Sequence, residues 1–310
     1  MTDVLLITGP TAVGKTETAV EVAEALGGEV ISADSRQVYK YLDIGSAKPD
    51  TATLARVKHH LVSVLEPYEA YNAGDFARDA EDAARDIESR GRIPVVCGGA
   101  TLYLKALTEG LFREPDNLTE RLEFRTSLTE EVKREGIEPI YEKLCEVDEK
   151  TASRLECTDT QRIVRALEVF LSTGIPLSDW HSDGVVKPDI KSLSFCLDLP
   201  REELAGRIEK RTRQMMADGL LEEVKGLMDR GLQDWDVPLK SVGYSEIIGY
   251  LKGDLGLDEA LDLINRNTKR YAKRQITWFR KMRELTWLDS GSRAAEVITD
   301  AWKSRVERSG

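Results

Sequence analysis

The feature that most constrains this chain is a glycine-rich segment near its start, between a short apolar run and a helical pattern. Because clustered backbone N–H groups, a helix N-terminus and a lysine all attract anions, this arrangement predicts a phosphate-binding loop. It identifies a phosphorylated ligand and leaves the reaction open. The segment follows a predicted strand at residues 4–8, opens a predicted helix at residues 15–26, and fits GxxxxGK[ST] through Gly9, Pro10, Thr11, Ala12, Val13, Gly14, Lys15 and Thr16.

Two side chains of this loop have predicted chemical roles. Lys15 reaches the outer phosphates of a ligand, and the Thr16 hydroxyl is able to hold Mg²⁺. A P-loop NTPase normally completes the magnesium site with a carboxylate at the end of a second apolar strand. Here that strand, predicted at residues 93–97, runs into Gly98 without a carboxylate.

The nearest carboxylate at a strand end is Asp34, which follows a predicted strand at residues 30–33. We expect it to face the phosphate loop from a neighbouring strand, because ligands of parallel sheets lie at the carboxyl ends of the strands. Spacing alone leaves its role open between a turn or cap residue, a general base and a metal ligand.

Strand and helix patterns alternate through the first hundred residues, which is typical of α/β proteins. The predicted fold class is α/β, a P-loop NTPase-like parallel sheet flanked by helices, with a helical insertion domain. The predicted domains are a P-loop catalytic core at residues 1–114 and 185–310, which carries a basic C-terminal helix, and an insertion at residues 115–184. A strand at residues 193–199 returns the chain to the sheet, and further helices are predicted at residues 75–90, 118–135, 139–146, 159–172, 202–217, 220–230 and 258–282.

Charge is distributed unevenly along the chain. The 55 acidic residues exceed the 44 basic ones, and a net charge of −11 speaks against a nucleic-acid partner. Residues 263–283, the basic segment, nevertheless contain eight basic residues and no acidic one. Helical periodicity places one set on an outer face, Arg266, Arg270, Lys273, Thr277 and Arg280, and another nearer the opposite face, Leu261, Ile264, Thr268, Ala272 and Phe279.

Two interpretations of the basic segment stay open on composition. A charge run is usually a solvated face, but no acidic side chain within this segment balances the cations. Tyr271, Trp278 and Gln275 add stacking or hydrogen-bonding groups, which favours a polynucleotide over a membrane surface. Further basic residues occur at Arg207, Lys210, Arg211 and Arg213 and, in the insertion, at Arg162 and Arg165.

Cysteine use and hydropathy indicate the environment of the chain. Cys97, Cys145, Cys157 and Cys196 are scattered, and three histidines are too few to complete a zinc site with them. We expect all four to be reduced and buried as small apolar residues. No apolar run reaches the length of a spanning helix and no basic leader precedes the first strand, so we expect a cytoplasmic protein without a membrane partner.

A set of motifs in order along nearly the whole chain resembles the tRNA dimethylallyltransferase (tRNA isopentenyltransferase) family. The family usually reads GGT before its LY pair, whereas this chain has Ala100 and then Thr101 at that point. The absence of a zinc-finger extension is similar to the bacterial form. Besides the phosphate loop, the motifs cover residues 31–39, 43–49, 59–61, 71–76, 242–244 and 273–280.

The resemblance implies an activity and a chemical role for three side chains. Members transfer a dimethylallyl group from dimethylallyl diphosphate to the exocyclic N6 amine of the adenosine 3′-adjacent to the anticodon, and they release diphosphate with Mg²⁺ as cofactor. By similarity, Asp34 is the general base, Thr11 and Arg211 stabilise the leaving diphosphate, and Lys15 with Mg²⁺ on Thr16 neutralises the developing charge. A donor of this kind needs no hydrolytic water.

The resemblance also implies contacts with the tRNA anticodon loop, by a chain that we expect to be a monomer. The insertion at residues 115–184 corresponds to the family's tRNA-contacting helical domain. The implied tRNA-binding residues are Asp34, Ser35, Arg36, Gln37, Ala100, Thr101, Gln161, Arg162, Ile163, Val164, Arg165, Lys240, Ser241, Val242, Gly243, Tyr244, Ser245, Lys273, Arg274, Gln275, Ile276, Thr277, Trp278, Phe279 and Arg280.

Three other functions compete with this interpretation. A P-loop small-molecule kinase shares the loop and Asp34 but leaves the basic segment unexplained. A prenyltransferase of free adenine nucleotides needs neither the insertion nor the basic segment. A non-catalytic RNA-binding protein leaves the phosphate loop without a role.

Overall fold

The computed structural model describes residues 2–112, 118–180, 184–234, 236–282, 284–291 and 293–309. The chain forms two compact units, one from Met1–Thr108 with Pro188–Gly310 and the other from Glu109–Lys187. The second unit extends beyond the predicted insertion at both ends, because Leu111–Phe112 pairs in antiparallel fashion with Val185–Val186. No helix among the described residues has both the length and the apolar character to cross a bilayer.

Six parallel strands form the central sheet of the first unit, which confirms the predicted fold class. Its order is β3-β2-β4-β1-β7-β8, and β1 lies near its centre, paired with β4 on one side and β7 on the other. In chain order the strands are β1 (Thr2–Thr8), β2 (Glu29–Ala33), β3 (His59–His60), β4 (Pro94–Gly98), β5 (Leu111–Phe112), β6 (Val185–Val186), β7 (Ile190–Asp198) and β8 (Leu285–Asp289).

Helices cover the sheet of the first unit and make up most of the second. A 3₁₀ turn at Val237–Lys240 precedes the twelfth helix. The helices are α1 (Lys15–Leu26), α2 (Thr51–Arg56), α3 (Ala73–Ser89), α4 (Thr101–Thr108), α5 (Leu118–Glu135), α6 (Glu138–Val147), α7 (Glu149–Ala152), α8 (Thr160–Thr173), α9 (Leu177–Trp180), α10 (Arg201–Ala217), α11 (Leu220–Asp229), α12 (Tyr244–Lys252), α13 (Leu257–Phe279) and α14 (Ala294–Ser309).

Local signals set several of these boundaries. Helix α1 begins and ends as predicted, and Gly27 closes it in the left-handed conformation with its N–H on the last carbonyls. A capping box of Asn72 and Asp75 starts α3 two residues before the predicted position. Asp159, predicted inside a helix, is instead the N-cap of α8 and accepts a hydrogen bond from the Arg162 N–H.

The main core lies between the sheet and its covering helices. Strand β1 contributes Leu5 and Ile7, and Ile298 and Trp302 of α14 pack into the same cluster. Burial of this kind of apolar surface is the dominant stabilising term in folding. It holds the carboxyl ends of β1, β2 and β4, where the site lies, in fixed relative positions.

The second unit has its own core of helices α5 to α9. Leu128, Ile140 and Leu144 pack with Leu167 inside it. The buried Glu168 accepts hydrogen bonds from Arg125 (2.7 Å) and Arg165 (2.5 Å), so a carboxylate in this core is paired with two guanidinium groups.

The four cysteines are free thiols with two different environments. Cys97 and Cys196 are buried beside the phosphate loop, and burial raises the pKa of the Cys97 thiol to about 11. Cys145 and Cys157 are exposed, so the prediction that all four are buried is wrong for this pair. Cys145 lies on the outer face of the amphipathic helix α6, and Cys157 lies in the turn between α7 and α8.

Candidate active site

The phosphate loop joins β1 to α1 through three residues with positive φ. Gly9 has φ +147°, Ala12 has φ +65° and Gly14 has φ +107°. A Cβ on Gly9 would lie 2.6 Å from the Leu197 carbonyl oxygen, so glycine is needed there for conformation and for space. This backbone path turns successive amides toward the start of α1, which is the arrangement that binds anions.

Side chains from distant parts of the chain fix the loop. Arg207 of α10 donates to the Val13 carbonyl oxygen over 3.2 Å, and the Ser290 hydroxyl donates to the same atom. Lys15 Nζ donates to the Pro10 carbonyl oxygen over 2.8 Å. Burial lowers the pKa of Lys15 to about 8, against a raising effect of the nearby Cys97 and Asp34.

Gln275 of α13 ties the phosphate loop to the neighbouring strand end. The Thr11 N–H donates to Gln275 Oε1 over 2.9 Å, and Gln275 Nε2 donates to the Gly99 carbonyl oxygen over 2.8 Å. Gln275 is only 3% exposed, so in this structure its side chain has a structural role, and its contact with tRNA stays a prediction. A signal for this was present, since Ala272, Gln275 and Phe279 share one helical face and all three are buried.

Asp34 directly follows β2 and takes part in the turn that begins there, one of the roles that spacing left open. Its Oδ1 accepts hydrogen bonds from the N–H groups of Arg36 (2.8 Å) and Gln37 (3.3 Å), as a turn residue does. Within the described residues no hydrogen bond reaches Oδ2 from the protein. The prediction that Asp34 approaches from a strand next to β1 is wrong, because β4 lies between β1 and β2.

The approach of Asp34 across β4 depends on glycine. A Cβ on Gly98, at the end of β4, would lie 2.1 Å from the Ala33 carbonyl oxygen. Thr8 Oγ1 also donates to the Gly98 carbonyl oxygen over 2.8 Å. Because no side chain stands at Gly98, the ends of β2 and β1 face the same space over the intervening strand.

Two cavities meet at these strand ends. The first, about 270 Å³, is lined by the phosphate loop with Lys15, Thr16, Gln37 and His59. The second, about 370 Å³, extends from Arg36 to Tyr271 and Arg274. Both are lined by the same four residues, Thr11, Asp34, Ser46 and Arg211.

Arg211 of α10 completes this shared boundary. Its Nη1 donates to Thr11 Oγ1 over 3.3 Å. Burial lowers the pKa of Arg211, and the charge of Asp34 opposes that shift. The three side chains expected to be catalytic therefore lie together, with a cation on one side of the boundary and a carboxylate on the other.

The second cavity has a mixed lining. Ile208, Met215 and Ile264 supply apolar surface, while Arg36 and Arg274 supply charge. Tyr271 lies on the rim of this cavity and is 37% exposed. Such a lining accommodates a flat polar ring beside an apolar group.

The implied tRNA-binding residues fall into four environments. Several line the second cavity, namely Asp34, Ser35, Arg36, Lys240, Ser241, Val242, Gly243 and Arg274. Others are exposed, namely Gln161, Arg162, Ser245, Lys273, Thr277 and Arg280, or half-buried, namely Gln37, Ala100, Thr101, Arg165, Ile276 and Trp278. The side chains of Ile163, Val164, Tyr244, Gln275 and Phe279 lie in the interior, so in this structure they support neighbouring surface residues and do not themselves reach the surface.

Helix α13 carries most of the basic segment. It ends at Phe279, three residues before the predicted end, and Arg280 is its C-cap. Arg266, Arg270 and Lys273 are exposed on the outer face, as the periodicity predicted. Lys269 is paired with Glu209 of α10 at 2.6 Å, a partner outside the segment that sequence spacing does not show, and Arg283 lies outside the described residues.

Sequence reasoning missed several residues of this site. Ser46 lines both cavities, and Arg207 and Ser290 hold the phosphate loop. Ser46 lies in a segment whose similarity to the family was a signal. Arg207 was noted only as a basic residue and Ser290 carries no local signal, because the role of both arises from packing across more than 190 residues of sequence.

Oxygen donors near the phosphate loop fit a magnesium ion. Thr16 and Asp34 line the first cavity together. Among the described residues there is no cluster of three or more His, Cys, Asp or Glu side chains that is able to hold a metal by itself. Mg²⁺ typically takes one or two protein oxygens and completes its shell with substrate phosphates and water, so this donor set fits it.

The sheet is parallel and a phosphate loop follows β1, which defines a P-loop phosphate-binding α/β protein. In this protein the cavity at the phosphate loop and the second cavity are both lined by Asp34. Family models extend this result over most of the chain. The model described as IPP transferase matches residues 37–282, and the model described as isopentenyl transferase matches residues 2–63. The chain belongs to the tRNA dimethylallyltransferase (IPP transferase) family and is a transferase.

Similar proteins and solved structures agree with this assignment. A tRNA dimethylallyltransferase of Salinibacter ruber is 43% identical over 98% of this chain and 93% of its own length, and one of Geobacter sulfurreducens is 41% identical over 97% and 96%. The structure of tRNA isopentenylpyrophosphate transferase from Bacillus halodurans has a TM-score of 0.72 at 34% identity, covering 99% of this chain and 98% of that protein. A eukaryotic dimethylallyltransferase solved acting on tRNA has a TM-score of 0.78 at 26% identity over 98% and 78%.

Proposed function

We propose that this protein transfers a dimethylallyl group from dimethylallyl diphosphate to the N6 amine of the adenosine 3′-adjacent to the anticodon of tRNA. The observation that carries the proposal is the meeting of two cavities at Asp34. One cavity has the lining of a phosphate site and the other has room for a base and an apolar group. A carboxylate between donor and acceptor is where a general base for such a transfer has to lie.

The first cavity holds the diphosphate of the donor. Amides of the phosphate loop and the ammonium of Lys15 bind its oxygens, and Thr16 is the protein ligand for Mg²⁺. When bound, Mg²⁺ supplies positive charge to the diphosphate. Negative charge grows on the bridging oxygen as its bond to the allylic carbon breaks, and the Arg211 guanidinium with the Thr11 hydroxyl stabilises it.

The second cavity receives the target adenine. The base leaves the stack of the anticodon loop at a cost of a few kcal/mol and enters between Arg36, Tyr271 and Arg274, whose side chains line the cavity. The N6 nitrogen attacks the allylic carbon, so a C–N bond forms while the C–O bond to diphosphate breaks. Asp34 takes the proton that N6 loses, and diphosphate leaves.

The exposed cations of α13 bind the tRNA backbone. Arg266, Arg270 and Lys273 form a stripe on the outer face of α13, the helix whose Tyr271 and Arg274 line the second cavity. A stripe of this kind binds phosphates without reading sequence and places the anticodon loop over the opening. Free adenine nucleotides do not need it, which favours the polymer as acceptor.

Three further expectations stand as part of the proposal: Mg²⁺ as the cofactor, a monomeric enzyme, and a cytoplasmic location. Light scattering on the purified chain, alone and with tRNA, measures the mass.

The test is a transfer assay with Mg²⁺, dimethylallyl diphosphate and unmodified tRNA, read by mass spectrometry of the nucleosides. We expect a dimethylallyl group on adenosine with tRNA and none with AMP. Asp34→Asn removes the base without changing side-chain volume, so turnover falls by about a hundredfold or more while tRNA affinity stays within a few-fold. Asp229→Asn, an exposed change at the end of α11, is the matched control.

Two outcomes contradict the proposal. Near wild-type turnover of Asp34→Asn removes the general-base role. Consumption of ATP with a phosphorylated small acceptor, and no gain of mass on tRNA, establishes the kinase alternative.

A further inference from the structure

Three consecutive amides, at residues 43–45, converge on one carboxylate from another part of the chain. Glu223 Oε2 of α11 accepts hydrogen bonds from the N–H groups of Asp43 (2.9 Å) and Ile44 (2.6 Å). Its Oε1 accepts from the Gly45 N–H over 3.0 Å. The next amide, that of Ser46, lies near the hydroxyl of Tyr244, which donates to Glu223 Oε1.

Tyr244 of α12 holds the Glu223 carboxylate in place. Its side chain is fully buried, and its hydroxyl donates to Glu223 Oε1 over 2.7 Å. Burial and the charge of Glu223 raise the pKa of Tyr244 far above its usual value, so the phenol stays a donor. A Cβ on Gly45 would lie 2.5 Å from the Tyr244 ring, so the loop lies directly on the aromatic face.

Gln37 connects the loop at residues 43–47 with Asp34. Gln37 Nε2 donates to the carbonyl oxygens of Ser46 (3.4 Å) and Ala47 (3.1 Å), and Gln37 Oε1 accepts from Ser32 Oγ (3.0 Å). The Gln37 N–H also donates to Asp34 Oδ1. The position of the carboxylate between the two cavities therefore depends on a loop that Glu223 holds.

We propose that Glu223, together with Tyr244, is a positioning residue for transfer, which holds residues 43–46 so that Gln37 keeps Asp34 at the boundary of the two cavities. Glu223 lines neither of these cavities. Its contribution is to the rate of the chemical step and not to binding. The inference rests on the proposed function, since it assigns a role in that reaction.

The hydrogen-bond pattern explains why glutamate is required. Glu223 accepts four hydrogen bonds and donates none, so only an ionised carboxylate satisfies every partner. In Glu223→Gln the new NH₂ group faces backbone N–H donors in either orientation of the amide. The change keeps the volume of the side chain and removes the hydrogen bonds that one of the two carboxylate oxygens accepts.

The experiment measures kcat and KM for both substrates in Glu223→Gln, Tyr244→Phe and the control Glu222→Gln, an exposed neighbour on the same helix. We expect kcat to fall about tenfold or more in Glu223→Gln with both KM values within about threefold, since small misplacements of a catalytic group act on the rate. Tyr244→Phe keeps the ring and loses one donor, so kcat falls by about threefold. Glu222→Gln keeps the wild-type kcat.

A double-mutant cycle separates positioning from general destabilisation. If Glu223 acts through Asp34, adding Glu223→Gln to Asp34→Ala changes the residual single-turnover rate by less than about twofold. The proposal is overturned if Glu223→Gln matches Glu222→Gln in kcat, or if its full effect persists without Asp34. Should Glu223→Gln fail to fold, an unchanged kcat in Tyr244→Phe overturns it. Absence of transfer by the wild-type protein in the same assay is the separate failure of the proposed function.

Discussion

Replacing Gln275 by leucine tests whether the phosphate loop depends on the helix that carries the basic segment. The substitution keeps a similar volume in a position that is 3% exposed, and it removes both hydrogen-bonding ends of the side chain. The Thr11 N–H and the Gly99 carbonyl oxygen then lose their partner.

The magnitude follows from the two groups left behind. A lost hydrogen bond costs about 1 kcal/mol net, and a buried group left without a partner costs about 1–3 kcal/mol. Gly99 is buried and takes the larger cost, whereas Thr11 is half-buried and regains part of its bond from water. The leucine recovers part of this through apolar burial, so we expect a decrease of about 2–3 kcal/mol in the free energy of unfolding.

Urea unfolding followed by tryptophan fluorescence measures this change, because Trp278 and Trp302 lie in the same unit as the loop. Gln214→Leu makes the same chemical change at an exposed position of α10 and is the control. We also expect weaker binding of inorganic diphosphate to Gln275→Leu, since the Thr11 amide is no longer held. Equal stability of the two variants refutes the reasoning about Gln275.

Further predictions concern pH, electrostatics and catalysis. Hydrogen bonds from Arg90 lower the pKa of the buried Glu29 from 4.5 to about 2. The ionised carboxylate therefore stabilises the fold fully above about pH 4.5, and this stabilisation is lost as pH falls through about 2. In urea unfolding measured between pH 5 and 2, Glu29→Gln removes this part of the pH dependence, about 2–3 kcal/mol. In the double variant Arg270→Gln/Lys273→Gln, the slope of log K for tRNA binding against log[salt] becomes less steep by up to about one unit per lost phosphate contact. An unchanged slope means that the exposed cations of α13 are only solvated and do not bind tRNA. Arg211→Gln lowers kcat for transfer by about a hundredfold while tRNA affinity stays within a few-fold, because the charge that builds on the leaving diphosphate loses its guanidinium; a wild-type rate contradicts that role.

Local patterns were enough for the parts of the fold that depend on neighbours in sequence. The phosphate loop, α1 and α5 begin and end at the predicted residues because glycines and apolar spacing mark them. The strand β8 was missed, since it lies at the edge of the sheet, where three of its five residues are half-buried and two are exposed, and it shows no clear alternation. Helix α14 was also missed, although Ala294, Ile298 and Trp302 show helical spacing.

The candidate site was harder to predict because its contacts join distant segments. Asp34 was found at a strand end, but the strand order that puts β4 between it and β1 is a property of the whole sheet. The resemblance to the family indicated that the segment around Gln275 is functional. It did not show which side chains of that segment point into the protein and which point to the surface. The partner of Gln275 is 264 residues away, and only the packing of α13 on the loop brings the two together.

The pairing of β1 with β7 has a consequence for how the chain folds during synthesis. Seven residues of β1, from Thr2 to Thr8, pair with residues 190–196, and the whole second unit lies between them in sequence. Because synthesis adds about 5–20 residues per second, one edge of β1 stays unpaired for roughly 10–40 seconds until β7 has been made. The helices of the second unit instead pack against helices that are close to them in sequence. The phosphate loop gains Gln275 later still, so the binding site is among the last parts of the molecule to form.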